Sequence, residues 1–275
     1  MESSKDQLSK AQRRQLKARR RLEKSIGKTE TNPIVPLDKS DDHHETITVL
    51  CVRFGNKYGR EYVERLRNMI SRNLSKPYEF ACLTDDKHPI DGVKTIYQPA
   101  ANYQKLWWHK IHMFDTDLPL KGKILYFDLD VIVHKNIAKM VEFPFTNLAG
   151  IRDFNRKFYP SWQHLNSSVM AWHHGTQQHI YRSFKQDMST AMRLQGDQDY
   201  IWKLLKNKIT FWPESWIQSY KWEIRRRDEL AMVNGKRNFK TVFNGEPGDD
   251  CCVTVFHGDP KPQDIKDPFV VDNWL

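Results

Sequence analysis

The segment Ile124-Leu125-Tyr126-Phe127-Asp128-Leu129-Asp130-Val131-Ile132-Val133 constrains this chain most, because two carboxylates stand two residues apart inside an otherwise apolar run. The apolar residues read as a strand buried on both faces, as in parallel sheets. Side chains two apart on an extended chain point the same way, so the spacing predicts that Asp128 and Asp130 share one face. Unpaired there, they would carry a desolvation cost of several kcal/mol, so a counter-charge is required. A divalent cation, bound directly or through water, supplies one. In an open α/β sheet, ligands bind beyond the carboxyl ends of the strands, and the acid pair is expected to face that crevice.

The preceding sequence has the rhythm of such a sheet. Residues 47–52 form a near-continuous β-rich run, and Tyr62, Val63, Leu66, Met69 and Ile70 follow at helical spacing until Lys76-Pro77 stops them. Residues 78–83 and 93–97 read as two further strands, and residues 105–114 as a helix with a strongly aromatic surface. The fold class is α/β: one Rossmann-like domain over residues 45–275 with a mainly parallel central sheet. Residues 1–44 are expected to be a disordered basic arm and linker, since residues 1–28 hold ten Lys or Arg against three acids and few apolar side chains. That arm suits nucleic acid, an acidic partner, an anionic membrane surface or simple solubility. No window approaches the roughly 18 to 20 apolar residues of a membrane span, and the first residues run into charge rather than an apolar signal core. The expectation is a cytoplasmic protein, peripheral at a membrane surface at most. Cys51 and Cys82 lie in apolar runs as small hydrophobes, and Cys251-Cys252 has no second pair at zinc-ligand spacing.

Asp-x-Asp alone is weak, since Asp115-Thr116-Asp117 and Asp197-Gln198-Asp199 also match. The pair at 115 and 117 follows a helix and precedes Leu118-Pro119, which reads as polar loop. The segment 124–133 also resembles the motif of haloacid-dehalogenase-type phosphatases, in which Asp128 would be the nucleophile and Gly248-Asp249-Asp250 a later acidic motif. That motif opens its domain on the first strand and continues with Gly-Thr, whereas here a long α/β stretch precedes it and Val131-Ile132 follows.

Tyr126-Phe127-Asp128-Leu129-Asp130-Val131 resembles the metal-binding motif of nucleotide-sugar glycosyltransferases of the GT-A fold. Residues 165–170, Leu-Asn-Ser-Ser-Val-Met, resemble the Asn-Ser-Gly-Val-Met segment of the glycogenin-like and lipopolysaccharide galactosyltransferase family, with Ser168 where Gly is usual. Gly196-Asp197-Gln198-Asp199-Tyr200 resembles its Asp-Gln-Asp motif, and residues 256–262 its C-terminal His, Gly and Lys-Pro motif. There His257 and Gly258 are adjacent, where the family has two residues between them. The motifs run in the family's order over residues 47–262.

The resemblance implies a GT-A-type domain moving a sugar from a UDP-sugar to an acceptor, with retention. It implies Mn²⁺ or Mg²⁺ held by Asp128, Asp130 and His257, and a donor site of Phe54, Tyr58, Lys110, Asp128, Asn166, Ser167, Gly258 and Lys261. Asp197, Gln198 and Lys110 would act at the reacting sugar. The cation acts as a Lewis acid on the leaving diphosphate, Lys261 adds a point charge, and Gly258 lets its backbone approach closely. Phe54 or Tyr58 would stack on uracil, Asn166 and Ser167 alternatively serve a turn, and Asp197 alternatively caps a helix. The aromatics Phe211, Trp212, Trp216, Tyr220 and Trp222, followed by Arg225-Arg226-Arg227, suit an acceptor site for a glycan, a phosphorylated lipid or nucleic acid. A surface glycan or lipopolysaccharide-type acceptor is the first expectation. Modified bases in DNA, held by residues 5–28 and 225–227, are the second. A nucleic-acid-binding protein with a degenerate site is the third.

Overall fold

In the computed structural model, residues 46–103, 105–233 and 236–275 are described. The basic segment 5–28 lies outside them. The first strand, β1 (Ile47–Arg53), leads to helix α1 (Arg60–Asn73), and β2 (Glu79–Thr84) and β3 (Lys94–Tyr97) follow. A 3₁₀ helix, Leu106–Phe114, precedes β4 (Lys123–Phe127) and β5 (Val131–Val133). Then come β6 (Leu148–Arg152), β7 (Leu165–His173), helix α2 (Asp197–Leu205), β8 (Ile209–Phe211) and β9 (Ile217–Ser219). A hairpin of β10 (Arg227–Val233) and β11 (Lys236–Phe243) precedes β12 (Val253–Val255).

The large sheet has seven strands in the order β3-β2-β1-β4-β7-β6-β8. Every adjacent pair is parallel except the two that β7 makes, so the sheet is mainly parallel, as expected. Both faces are covered. Val49, Cys51, Leu125 and Phe127 pack with Tyr62, Val63, Leu66, Met69 and Ile70 of α1, the five residues that the helical spacing singled out. Leu50, Ile124 and Tyr126 face the other way, onto Trp108, Ile111 and Phe114. A 3₁₀ helix has three residues per turn, so those last three form one eclipsed stripe against the sheet and Lys110 belongs to the stripe of Trp107 and Met113.

The run 124–133 is not one strand. It leaves the large sheet after Phe127, bends over residues 128–130, and enters a second sheet in which β5 pairs with β12 and β12 with β9. The carboxylates sit at the bend, where the chain crosses between sheets at the carboxyl end of β4. Trp212, Tyr220, Ile217 and Ile224 are buried, and Trp216 and Trp222 pack against that core. Of the aromatic segment expected to form an acceptor site, Trp212 and Tyr220 are buried in the core, whereas Phe211, Trp216 and Trp222 are partly exposed. Asp115 ends the 3₁₀ helix and its Oδ1 accepts from the Asp117 amide at 3.1 Å, the loop role expected of it. Among the described residues, no helix is long and apolar enough to cross a membrane.

Candidate active site

Alternation along β4 puts Asp128 on the side of Tyr126, and there the 3₁₀ helix delivers Lys110. Its Nζ stands 3.0 Å from Asp128 Oδ1 and 3.0 Å from Asp197 Oδ2. It also donates to Ser167 Oγ at 3.0 Å, and that hydroxyl donates to Asp197 Oδ2 at 2.6 Å. The Tyr126 hydroxyl donates to Asp128 Oδ1 at 2.6 Å. Burial on its own would lower the Lys110 pKa, but the two carboxylates outweigh it and hold the ammonium charged well above its ordinary range. Burial and Asp128 likewise keep the Tyr126 phenol protonated.

Ser167 reaches this cluster through an irregularity in β7. Gly150 pairs with Met170 but Ile151 pairs with Asn166, so residues 167–169 bulge out of the ladder with β6 while β7 stays paired with β4. Such bulges re-aim side chains beside functional sites. The Asp128 amide donates to the Ser168 carbonyl at 2.7 Å, tying the bend to the bulge. Asn166 is buried, and its Oδ1 accepts from the Ser168 amide at 3.1 Å, the turn role rather than an exposed one. Asp197 is the first residue of α2 and Gly196 takes the N-cap place, so the capping expectation does not hold. Its carboxylate is instead engaged by Ser167 and Lys110. Gln198 is half-buried and makes no side-chain hydrogen bond among the described residues.

Beyond the bend, Asp130 has its own partners. Its Oδ2 accepts from Lys261 Nζ at 2.5 Å and from the Tyr58 hydroxyl at 2.9 Å. Lys261 also donates to the Phe256 carbonyl at 3.1 Å. Burial, then Asp130 and Asp128, push the Tyr58 phenol up, so both carboxylates act on one hydroxyl. Tyr58 thus contributes its hydroxyl to the site. Phe54 is buried and stacks on His109 with ring centroids 4.1 Å apart, so it is core rather than an open platform for a base.

His257 does not join the carboxylates. The Phe256 amide bonds the Asp130 carbonyl just past the end of β12, and His257 follows outside the strand. There His257 Nε2 lies 2.6 Å from Ser219 Oγ, and its ring stacks on Phe154. Burial, with Lys221 and Lys261 nearby, pushes the imidazole down to about 3. Among the described residues, no three His, Cys, Asp or Glu side chains stand together as a metal site. The two carboxylates do suit a hard cation: Asp128 uses Oδ1 and Asp130 uses Oδ2 for their partners, and neither second oxygen takes a hydrogen bond from a described residue. Mg²⁺-type sites commonly use one or two carboxylates and complete their shell with substrate phosphates and water.

Lys221 was read only as part of the segment 216–222 suited to an acceptor site. Its Nζ lies 3.8 Å from the place a Cβ on Gly258 would occupy, and Gly258 has φ +71°, a conformation that favours glycine. No motif flagged it. Of the triplet at 225–227, the side chain of Arg227 lies outside what is described, as does the arm, and nothing in the described residues adds to a nucleic-acid site.

No protein-family model matches the sequence, and no curated protein matches it significantly. Solved structures do match. An active-site mutant of LgtC superposes with a TM-score of 0.54 at 12% identity, over 80% of this chain and 91% of that one. The galactosyltransferase LgtC in complex with donor and acceptor sugar analogues gives 0.52 at 12% identity, over 78% and 88%. The bifunctional glycosyltransferase WbbM gives 0.53 at 12% identity, over 86% of this chain and 50% of WbbM, so the chain spans about half its length. The chain has the GT-A-type fold of these proteins.

Proposed function

We propose that this protein is a glycosyltransferase that moves a sugar from a UDP-sugar to a glycan or phosphorylated-lipid acceptor of the surface-polysaccharide or lipopolysaccharide type, with retention at the anomeric carbon. The observation that carries the reading is the closed cluster of Lys110, Asp128, Ser167 and Asp197 at the carboxyl end of β4, with Asp130 and Lys261 beside it. Asp128 and Asp130, Ser167, Asp197 and Lys261 come from the four segments that carry the resemblance, Lys110 from the helix before the first of them, and the fold draws them together where open α/β sheets bind ligands.

In the reaction, the bond between the sugar's anomeric carbon and the diphosphate breaks with its electron pair left on the phosphate oxygen. The acceptor hydroxyl bonds to that carbon and loses its proton. Mn²⁺ or Mg²⁺ held by Asp128 and Asp130 would supply Lewis-acid stabilisation of the diphosphate. The chain's own groups do the rest. Lys261 places a point charge beside Asp130, where it can pass from that carboxylate to the charge that develops on the diphosphate. Lys110 holds Asp128 and Asp197 in place through its two ion pairs, and Gln198 offers an uncommitted amide next to Asp197. The cationic segment 5–28 suits an anionic membrane surface, where a phosphorylated-lipid acceptor would be met on the cytoplasmic side.

Nucleotide release from a panel of UDP-, GDP- and CMP-sugars, with Mn²⁺ or with EDTA, tests the reading. Metal-dependent release from a UDP-sugar that drops by at least about a hundredfold in Asp128→Ala is expected. No release from any donor, or full activity in the variant, would overturn it.

A further inference from the structure

Three lysines border the candidate diphosphate site, and they are not alike. Lys110 has two carboxylates and Lys261 has one. Among the described residues, Lys221 has none. It is also the exposed one of the three. Its Nζ nevertheless lies 3.8 Å from the Cβ position of Gly258. Lys261 Nζ donates to the Phe256 carbonyl at 3.1 Å, two residues before Gly258, so both cations border the Gly258 turn.

The position of Lys221 is set by its neighbours. It belongs to a π-helical turn, Tyr220–Ile224, in which Tyr220, Glu223 and Ile224 are buried. Such turns are rare and recur at functional sites. The Tyr220 hydroxyl donates to Asp267 at 2.6 Å, and its ring stacks on Phe256 with centroids 4.6 Å apart. Glu223 Oε2 accepts from the Ser219 amide at 2.8 Å, and the Ser219 hydroxyl meets His257. The turn is therefore fixed directly against the strand end that leads to Gly258. An uncompensated cation held against a glycine that leaves the backbone open is suited to an anion, and two cations around one turn suit a group bearing two phosphates.

We propose that Lys221 binds the diphosphate of the donor and of the departing nucleotide, sharing it with Lys261 across the Gly258 turn. The inference rests on the glycosyltransferase reading, in which a nucleoside diphosphate occupies this crevice. It assigns the role to a residue outside the four sequence motifs.

The test is titration calorimetry with inorganic pyrophosphate in Mg²⁺ buffer, on the full chain as wild type, Lys221→Gln, Lys221→Arg and Lys261→Gln. Lys221→Gln is expected to weaken binding about tenfold, as for loss of one charge-assisted contact, with Lys221→Arg close to wild type. Because the side chain is exposed, the urea midpoint of Lys221→Gln should stay at the wild-type value. Wild-type affinity in Lys221→Gln, with Lys261→Gln weakened, overturns the role of Lys221 and leaves the diphosphate site standing. No difference between wild type and Lys261→Gln, or no binding by wild type, overturns both.

Discussion

The two lysines paired to the Asp-x-Asp motif differ in what holds them. Lys110 comes from a 3₁₀ helix packed on the sheet, is buried, and meets Asp128, Asp197 and Ser167 from three other elements. Lys261 follows the Gly258 turn, on a segment outside both sheets, and meets one carboxylate. The first arrangement is part of the core. The second is a single ion pair on a connecting segment, the kind of contact that can be exchanged for a substrate phosphate without dismantling packed structure. One motif thus has a fixed half and an exchangeable half.

The largest effect should come from breaking the fixed half. Lys110→Met leaves Asp128 and Asp197 without their counter-charge, and removing one partner of a buried charge cluster costs about 3–5 kcal/mol. Lys261→Met strips one carboxylate that keeps its Tyr58 hydrogen bond, and should cost about 1–3 kcal/mol. Urea unfolding of both variants compares the two directly. Equal losses would mean that both lysines are structural, and the distinction would fail.

Acid should test the fixed half next. His112 sits on the Lys110 helix, and burial, with His109 and Lys185 adding to it, pushes its imidazole down to about 4. The folded state holds the neutral form, so this contribution is complete above the unfolded value near 6.5 and is lost as pH falls from there towards 4. Wild type should lose on the order of 1–3 kcal/mol through this group across that window. In His112→Gln the acid limb of the stability profile should be shallower by that amount. An identical acid limb in His112→Gln would remove this link between helix packing and the fixed half.

What was legible in the sequence follows the same division. The face of α1 was readable to the residue because a 3.6-residue period against a flat sheet is a local signal, and the buried strands were readable because burial on both faces demands continuous apolar runs. That Asp128, Ser167 and Asp197 would lie near one another was an expectation from separate motifs, and the fold brings them together with Lys110. The geometry was not legible. A continuous apolar run gives no sign that the chain changes sheets at Asp128, because Val131 and Val133 are as apolar in β5 as they would be in β4. Phe54 and Trp212 could not be told from open stacking surfaces, because an aromatic side chain has the same composition in a core as on a platform. His257 shares a motif with Lys261, but its ring meets Ser219 and Phe154. Lys221 stood only within the segment read as an acceptor site, since its place beside Gly258 comes from a π-helical turn.

The smallest effect is also the one that best tests whether the Lys261 half behaves as one unit. Tyr58→Phe removes a hydroxyl that donates to the same Asp130 oxygen as Lys261, and should cost about 0.5–1.5 kcal/mol while Lys261 remains. In a Lys261→Met background the hydroxyl is the last donor to a buried carboxylate oxygen, so the same substitution should cost more. Residues that share a partner commonly show coupling of about 0.5–3 kcal/mol. In a Lys110→Met background Tyr58 has lost no direct partner, and the two losses should add to within about 0.5 kcal/mol. A double-mutant cycle by urea unfolding measures both. Coupling of Tyr58 to Lys110 as strong as to Lys261 would mean that the bend at residues 128–130 transmits rather than divides, and that the two carboxylates act as one site despite separate counter-ions.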